Sequence, residues 1–199
     1  MNYEKLNIRE ISYIATFGTL WGGCEITLGM VLHNFHLPLT GLLLTFIGSI
    51  IALTCARLID KKRAIIYCAI IAAVLKLLSI TSIKLGPFIG IIGSALIAQI
   101  VITILNINIV SFTLAAGLMC CWPFTYVLIN QTIIYTPKIY SIYQDFLTQI
   151  GFKDLKISIL ICLILLIHFI IGSIAGLFSW FLSNELLKRM NSNADSVKT

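Results

Sequence analysis

Charge is what this sequence has least of. Charged residues make up 11% of its 199 positions, and only 8 residues are acidic. A soluble domain carries about a quarter charged residues, so a chain with 59% hydrophobic residues and a mean hydropathy of +1.00 lacks the polar surface that water requires. Catalytic signatures are missing too. No G-x-x-x-x-G-K-[ST] run occurs, which excludes a P-loop and ATP hydrolysis by this chain itself. The six cysteines, Cys24, Cys55, Cys68, Cys120, Cys121 and Cys162, contain no C-x-x-C pair. Adjacent Cys120 and Cys121 fall on different helix faces, so a zinc site or disulfide framework is not expected and the thiols read as small apolar fillers. Neither a Ser-His-Asp order nor paired carboxylates support hydrolysis. No metal, no cofactor and no enzymatic activity are expected.

What the chain has is long apolar runs. Six can be drawn, near the roughly 20 residues an α-helix needs to cross about 30 Å of hydrocarbon: residues 11–33, 39–56, 64–80, 88–105, 109–130 and 157–182. Pro38 with Gly41, the run Asp60-Lys61-Lys62-Arg63, Gly86-Pro87 and Asn106-Ile107-Asn108 separate the first five. The runs do not alternate polar with apolar, which excludes a β-barrel. The expected fold is an all-α integral membrane bundle of six transmembrane helices over residues 1–190, followed by a polar C-terminal tail, 191–199, expected to be disordered.

Basic residues set the orientation. The net charge is +6, but Lys5, Arg9, Arg57, Lys61, Lys62, Arg63, Lys188, Arg189 and Lys198 fall on one side of a six-span chain, in short clusters rather than on a basic face. Only Lys84, Lys138, Lys153 and Lys156 fall in the opposite loops. The distribution predicts cytoplasmic termini and no nucleic-acid partner. The first apolar run is too long for a signal-peptide core, so a multi-pass protein of the cell (inner) membrane that keeps its first segment is expected. Its surroundings are the lipid bilayer.

The connection YTPKIYSIYQDFLTQIGFKDLK, residues 135–156, places Ile139, Ile142, Tyr143, Phe146, Leu147 and Ile150 at helical spacing against Lys138, Gln144, Asp145 and Gln149. That spacing predicts a short amphipathic helix, either lying at the bilayer surface with Tyr135, Tyr140 and Tyr143 in the aromatic belt or closing over an outward pocket.

The few ionisable residues inside the apolar runs carry the functional reading. GCEITLGMVLHNFHLPLTG, residues 23–41, holds Glu25, His33 and His36, and an ionisable group in hydrocarbon marks a surface lined by protein or water. At about 1.5 Å per residue, Glu25 sits roughly 24 Å along the first span from Arg9, His33 about 12 Å further out, and Lys76 about 20 Å from Arg63. Asn130 and Gln131 close the fifth span on the same side. Glu25, His33, His36, Lys76, Asn130 and Gln131 are therefore the candidate residues for binding a small molecule. Plainer roles compete: a Glu25–Lys76 ion pair that only orients two helices, surface histidines, and a helix end capped by Asn130 and Gln131. His168, mid-span in the last run, reads as an interhelical hydrogen-bonding residue. The first span also carries Ala15, Thr19 and Gly23 at four-residue spacing, with Gly18, Gly22 and Gly29 interleaved. Those are more small residues than one internal neighbour requires, so Ala15, Thr19 and Gly23 are a candidate partner-binding face. Gly172 and Gly176, with Ser173, Ser179 and Ser183, read as packing inside the bundle.

Six spans in a chain of this length, cytoplasmic termini, a small-residue face on the first span, HNFHLPLTGLLLTFIG leading into the second and IKLGPFIGIIGSALIAQIV at the fourth together resemble the substrate-binding S components of energy-coupling factor transporters. The resemblance covers nearly the whole chain. It implies capture of a vitamin-like micronutrient near the outer face, with ATP-driven uptake powered by a separate transmembrane T component and cytoplasmic ATPase subunits. It also implies that the family's alanine-rich contact with the T component maps onto Ala15, Thr19 and Gly23. The alternatives are a polytopic membrane enzyme acting on a lipid or prenyl substrate, with Glu25 as acid or base, and a purely structural subunit.

Overall fold

A computed structural model of the chain describes residues 6–35, 39–78, 85–136, 138–149 and 156–196. They form seven helices: α1 (Ile8–Asn34), α2 (Thr40–Leu58), α3 (Ala64–Leu77), α4 (Leu85–Leu105), α5 (Ile109–Tyr135), α6 (Lys138–Gln149) and α7 (Ile157–Ser196). No strand occurs among the described residues. By length and composition α1, α2, α4, α5 and α7 are each able to cross a membrane. α3 is apolar but has 14 residues, about 21 Å at 1.5 Å per residue, which is shorter than the hydrocarbon core.

Local chemistry sets the helix ends. α2 stops at a left-handed turn: Asp60 takes φ 51°, its N–H bonds the Arg57 carbonyl at 3.3 Å, and the Lys61 N–H reaches back to the Ala56 carbonyl at 3.1 Å. This is the Schellman arrangement, and it leaves the basic cluster in the turn beyond it. α5 begins with reciprocal capping, in which the Asn108 side chain accepts from the Ser111 N–H at 2.8 Å and the Ser111 hydroxyl accepts from the Asn108 N–H at 3.1 Å.

α2 occupies the centre, packed against α1, α3, α5 and α7, while α5 pairs extensively with α7 and α1 with α3. Small residues fill the crossings. Ala52, Ala56, Ala69, Ala72, Ala73, Ala95, Ala98, Ala115, Ala116 and Ala175 are fully buried, whereas bulky residues such as Ile104 (71% exposed), Ile133 (75%) and Phe181 (63%) face outward. An apolar exterior around a small-residue interior is the arrangement expected where lipid surrounds the bundle and close packing holds it. On α7, Gly172 and Gly176 lie against the α5 backbone at Ala116 and Phe112, and Ser179 meets Thr54 of α2 at 3.0 Å, in agreement with the packing role read for that stripe.

The basic residues gather at one end. Arg57 places its guanidinium 3.3 Å from the Trp180 ring centroid and donates to Asn184 Oδ1 at 2.6 Å. Lys62 donates to Asn106 Oδ1 at 2.6 Å, and the Tyr13 hydroxyl lies 3.9 Å from Met190 Sδ. The start of α1, the α2–α3 and α4–α5 turns and the far part of α7 therefore share one end of the molecule.

Two expectations change. α7 continues as helix to Ser196, so residues 191–196 are helical rather than a disordered tail. The stretch Asn184–Arg189 is rich in helix formers, with Glu185 and Arg189 paired at 3.2 Å across one turn. At 40 residues α7 is about 60 Å long, twice the hydrocarbon thickness. The amphipathic segment is helical as expected, but among the described residues α6 packs only on α5 and α7.

Candidate functional site

At the end opposite the basic cluster, residues of five helices line an open-mouthed cavity of about 190 Å³. α1 contributes Trp21 and Glu25, and the start of α2 contributes Thr40, Gly41, Leu44 and Thr45. Lys76 comes from the last turn of α3, Gly86, Gly90, Ile91 and Ser94 from α4, and Pro123 and Tyr126 from α5. α2 and α4 both begin at this wall, whereas α3 ends there, so the alternating up-and-down course brings them together.

Glu25 and Lys76 meet across the α1–α3 contact. The Lys76 ammonium lies 3.8 Å from Glu25 Oε2 and also donates to the Glu25 backbone carbonyl; both residues are 5% exposed. Glycines make room for this. Ile71 and Leu75 of α3 lie against Gly18 and Gly22, and a Cβ on Gly29 would come within 2.8 Å of Lys76 Nζ. The interleaved glycines of α1 therefore seat α3 and its ammonium. The ion pair read from the sequence is present, and it lies on a cavity wall.

Trp21, one helical turn before Glu25, is 1% exposed. Its ring lies on Gly48 of α2 where any side chain would collide, and its indole N–H, which makes no hydrogen bond of ordinary geometry among the described residues, has the Glu25 carboxylate as its neighbouring acceptor. Ser94 is also buried, with its hydroxyl donating to the Ile91 carbonyl at 2.9 Å. Pro123 interrupts the backbone bonding of α5 at this depth and packs against Gly41. The remaining lining is mostly apolar, so a few polar groups converge within an oily wall, as in small-molecule sites.

The other candidates fall elsewhere. Gln131 lines a second cavity, about 330 Å³, between α5, α6 and α7, with Phe124, Leu128, Leu147 and Ile161 among its walls. There Tyr143 donates to Gln131 Oε1 at 3.0 Å, Tyr140 meets Thr132 at 2.7 Å, and Gln144 accepts from the Ile157 N–H at 2.7 Å. α6 thus roofs an apolar cavity and contributes no residue to the Glu25 cavity. Asn130 is exposed and lines neither. The His33 backbone lies in the last turn of α1, but its side chain is outside the described part, and His36 lies outside the described residues. His168 is buried; its ring bonds the Ile164 carbonyl of its own helix at 2.8 Å and stacks 5.5 Å from Phe124, so its bond is intrahelical rather than between helices.

Sequence reasoning missed Trp21, Thr40, Thr45, Ser94 and Tyr126. Trp21 carried a signal, being four residues from Glu25 and hence on the same helix face. The hydroxyl residues carried none, since Thr and Ser are common in apolar helices. On α1, Ala15 and Thr19 are exposed and a Cβ on Gly23 would meet nothing within 4 Å, so this strip faces away from the bundle while Gly18 and Gly22 face in.

No family model, no curated protein and no solved structure matches this chain.

Proposed function

We propose that the protein is a six-span membrane protein of the cell membrane, with both termini cytoplasmic, that captures a small water-soluble molecule from outside. In this reading it serves as the substrate-binding S component of an energy-coupling factor transporter, and other subunits supply the ATP hydrolysis. One observation carries it: a buried carboxylate and ammonium on the wall of a cavity at the end of the bundle away from the basic cluster. Basic residues mark the cytoplasmic side, so that cavity belongs to the outer half. In this reading α3, apolar over its 14 residues, is the sixth crossing. The exposed strip of Ala15, Thr19 and Gly23 supports a transmembrane partner, because small side chains let another helix approach closely.

The test is mass spectrometry of small molecules retained by the purified protein, compared with Gly90→Val. A Cβ at Gly90 meets nothing within 4 Å although Gly90 lines the cavity, so valine occupies ligand space without colliding with the protein. A small molecule retained by the parent protein and absent from the variant is the expected result. Retention of a lipid or prenyl species in its place would assign the cavity to membrane-derived substrates and defeat the uptake reading.

A further inference from the structure

The cavity also limits what its occupant can be, given the capture reading above. Three features matter. First, Glu25 and Lys76 are both almost fully buried and within 3.8 Å of each other. Whichever of them holds the shared proton, the pair sums to zero charge and presents one donor beside one acceptor. A ligand carrying net charge would leave an uncompensated charge in a buried site, which is strongly disfavoured. Second, the indole N–H of Trp21, one turn away on the same helix face, is buried beside the Glu25 carboxylate without a hydrogen bond of ordinary geometry among the described residues, so it is a further donor at this wall. Third, the space is small and its wall largely apolar. A closed apolar cavity of about 150 Å³ holds benzene, so the volume of about 190 Å³ beside the pair has room for one ring with a compact substituent, its mouth remaining open. The wall has two aromatic faces, Trp21 and Tyr126.

We propose that the Glu25–Lys76 cavity binds a compact, net-neutral ring compound through an amide-type edge. The carboxyl group of Glu25 accepts from the ligand N–H, while the Lys76 ammonium and the Trp21 N–H donate to the neighbouring C=O. Adjacent groups on the protein call for adjacent groups on the ligand, so the recognised class is a carboxamide- or lactam-bearing ring. Molecules whose only polar group is an acid, an amine or an alcohol fall outside it.

Three isosteric probes test this: benzamide, benzoate and benzamidinium, which share one ring and differ in charge at the same atoms. Binding to the purified full chain in lipid nanodiscs is measured by ligand-observed NMR, alongside mass spectrometry of any small molecule the preparation retains. Benzamide is expected to bind at least about tenfold more tightly than either charged probe, a difference of about 1.4 kcal/mol. Lys76→Met should shift the preference to benzamidinium, and Glu25→Gln to benzoate. Trp21→Phe keeps the ring and removes the N–H, so it should weaken benzamide severalfold and should fold even where the charge variants do not. Equal binding of all three probes, preference of the parent protein for a charged probe, or retention of a molecule with net charge overturns this inference and leaves capture standing. Failure of every probe together with an empty preparation overturns both.

Discussion

Replacing Glu25 by Gln keeps the shape of the side chain and removes its charge, leaving Lys76 facing an amide in a site where it is 5% exposed. Removing one partner of a buried ion pair costs about 3–5 kcal/mol, because the remaining charge has lost its compensation. The lower end applies here, since the ammonium keeps the Glu25 backbone carbonyl as acceptor. Lys76→Met should cost at least as much: the carboxylate loses the ammonium, and the backbone carbonyl loses its additional donor. The double variant Glu25→Gln with Lys76→Met replaces the pair by groups that need no charge compensation. It should recover about 2–3 kcal/mol of the summed loss, within the range of coupling between residues in contact. The assay is reversible unfolding of the four proteins in mixed micelles with increasing denaturing detergent, followed by far-ultraviolet circular dichroism. Losses that simply add in the double variant would show that the two residues do not sense one another, and the electrostatic reading of the cavity would fall with them.

Other contacts give sharper contrasts. Gly29→Ala sets a methyl 2.8 Å from Lys76 Nζ, the movable end of a flexible side chain, so it should displace the ammonium and offset the helix-propensity gain, whereas Gly23→Ala, with nothing within 4 Å, should keep that gain and stabilise by about 0.5–1 kcal/mol; equal effects in the same unfolding assay would contradict the two-faced description of α1. Arg57→Lys should lose about 1–2 kcal/mol, because lysine cannot stack on Trp180 and donate twice to Asn184 at once, and unchanged stability would mean that the cluster contributes little. Ligand bound beside Glu25 should slow hydrogen exchange at residues 40–45 and 86–94 and leave 138–149 unchanged, since α6 roofs the other cavity; protection confined to 138–149 would restore α6 as the lid and move the site.

The helical course was legible because its signals are local. Hydrophobic runs and turn residues placed six apolar helices, and helical spacing over residues 139–150 placed α6 almost residue for residue. The Glu25–Lys76 contact was legible as well, through depth counting: two lone ionisable groups at equal depth in neighbouring parallel helices have few other ways to be compensated. Depth counting failed for Asn130 and Gln131, because depth says nothing about rotation around the helix axis. Successive residues differ by about 100°, which puts Gln131 beneath Tyr143 and turns Asn130 outward. The same limit applies to α6: its amphipathic pattern shows that it covers an apolar surface but not which helices provide that surface, which the structure shows to be α5 and α7. The end of α7 was misjudged for another reason. Polarity marks where a helix leaves the membrane, not where it stops being a helix, and Asn184 onward continues past Arg57 with its own i,i+4 pair.

Stability does not account for the Glu25–Lys76 pair. Two buried charges recover at most about what their desolvation costs, and apolar residues of similar volume commonly hold helices together equally well or better. The α1–α3 contact already has such a solution, with Gly18 and Gly22 receiving Ile71 and Leu75 one after the other. Extending that packing by two more turns would call for a small residue opposite an aliphatic one. The third glycine, Gly29, instead makes room for an ammonium, and Glu25 lies one turn before it. The pair also sits where the apolar packing opens into a cavity, next to the Trp21 indole N–H and a glycine whose missing side chain leaves space. A pair serving only to fix helix register could lie anywhere along the α1–α3 contact, including deep among the alanines. Its position at the cavity wall puts both charged groups where an occupant can reach them, and that consideration favours a binding role for Glu25 and Lys76 over a purely architectural one.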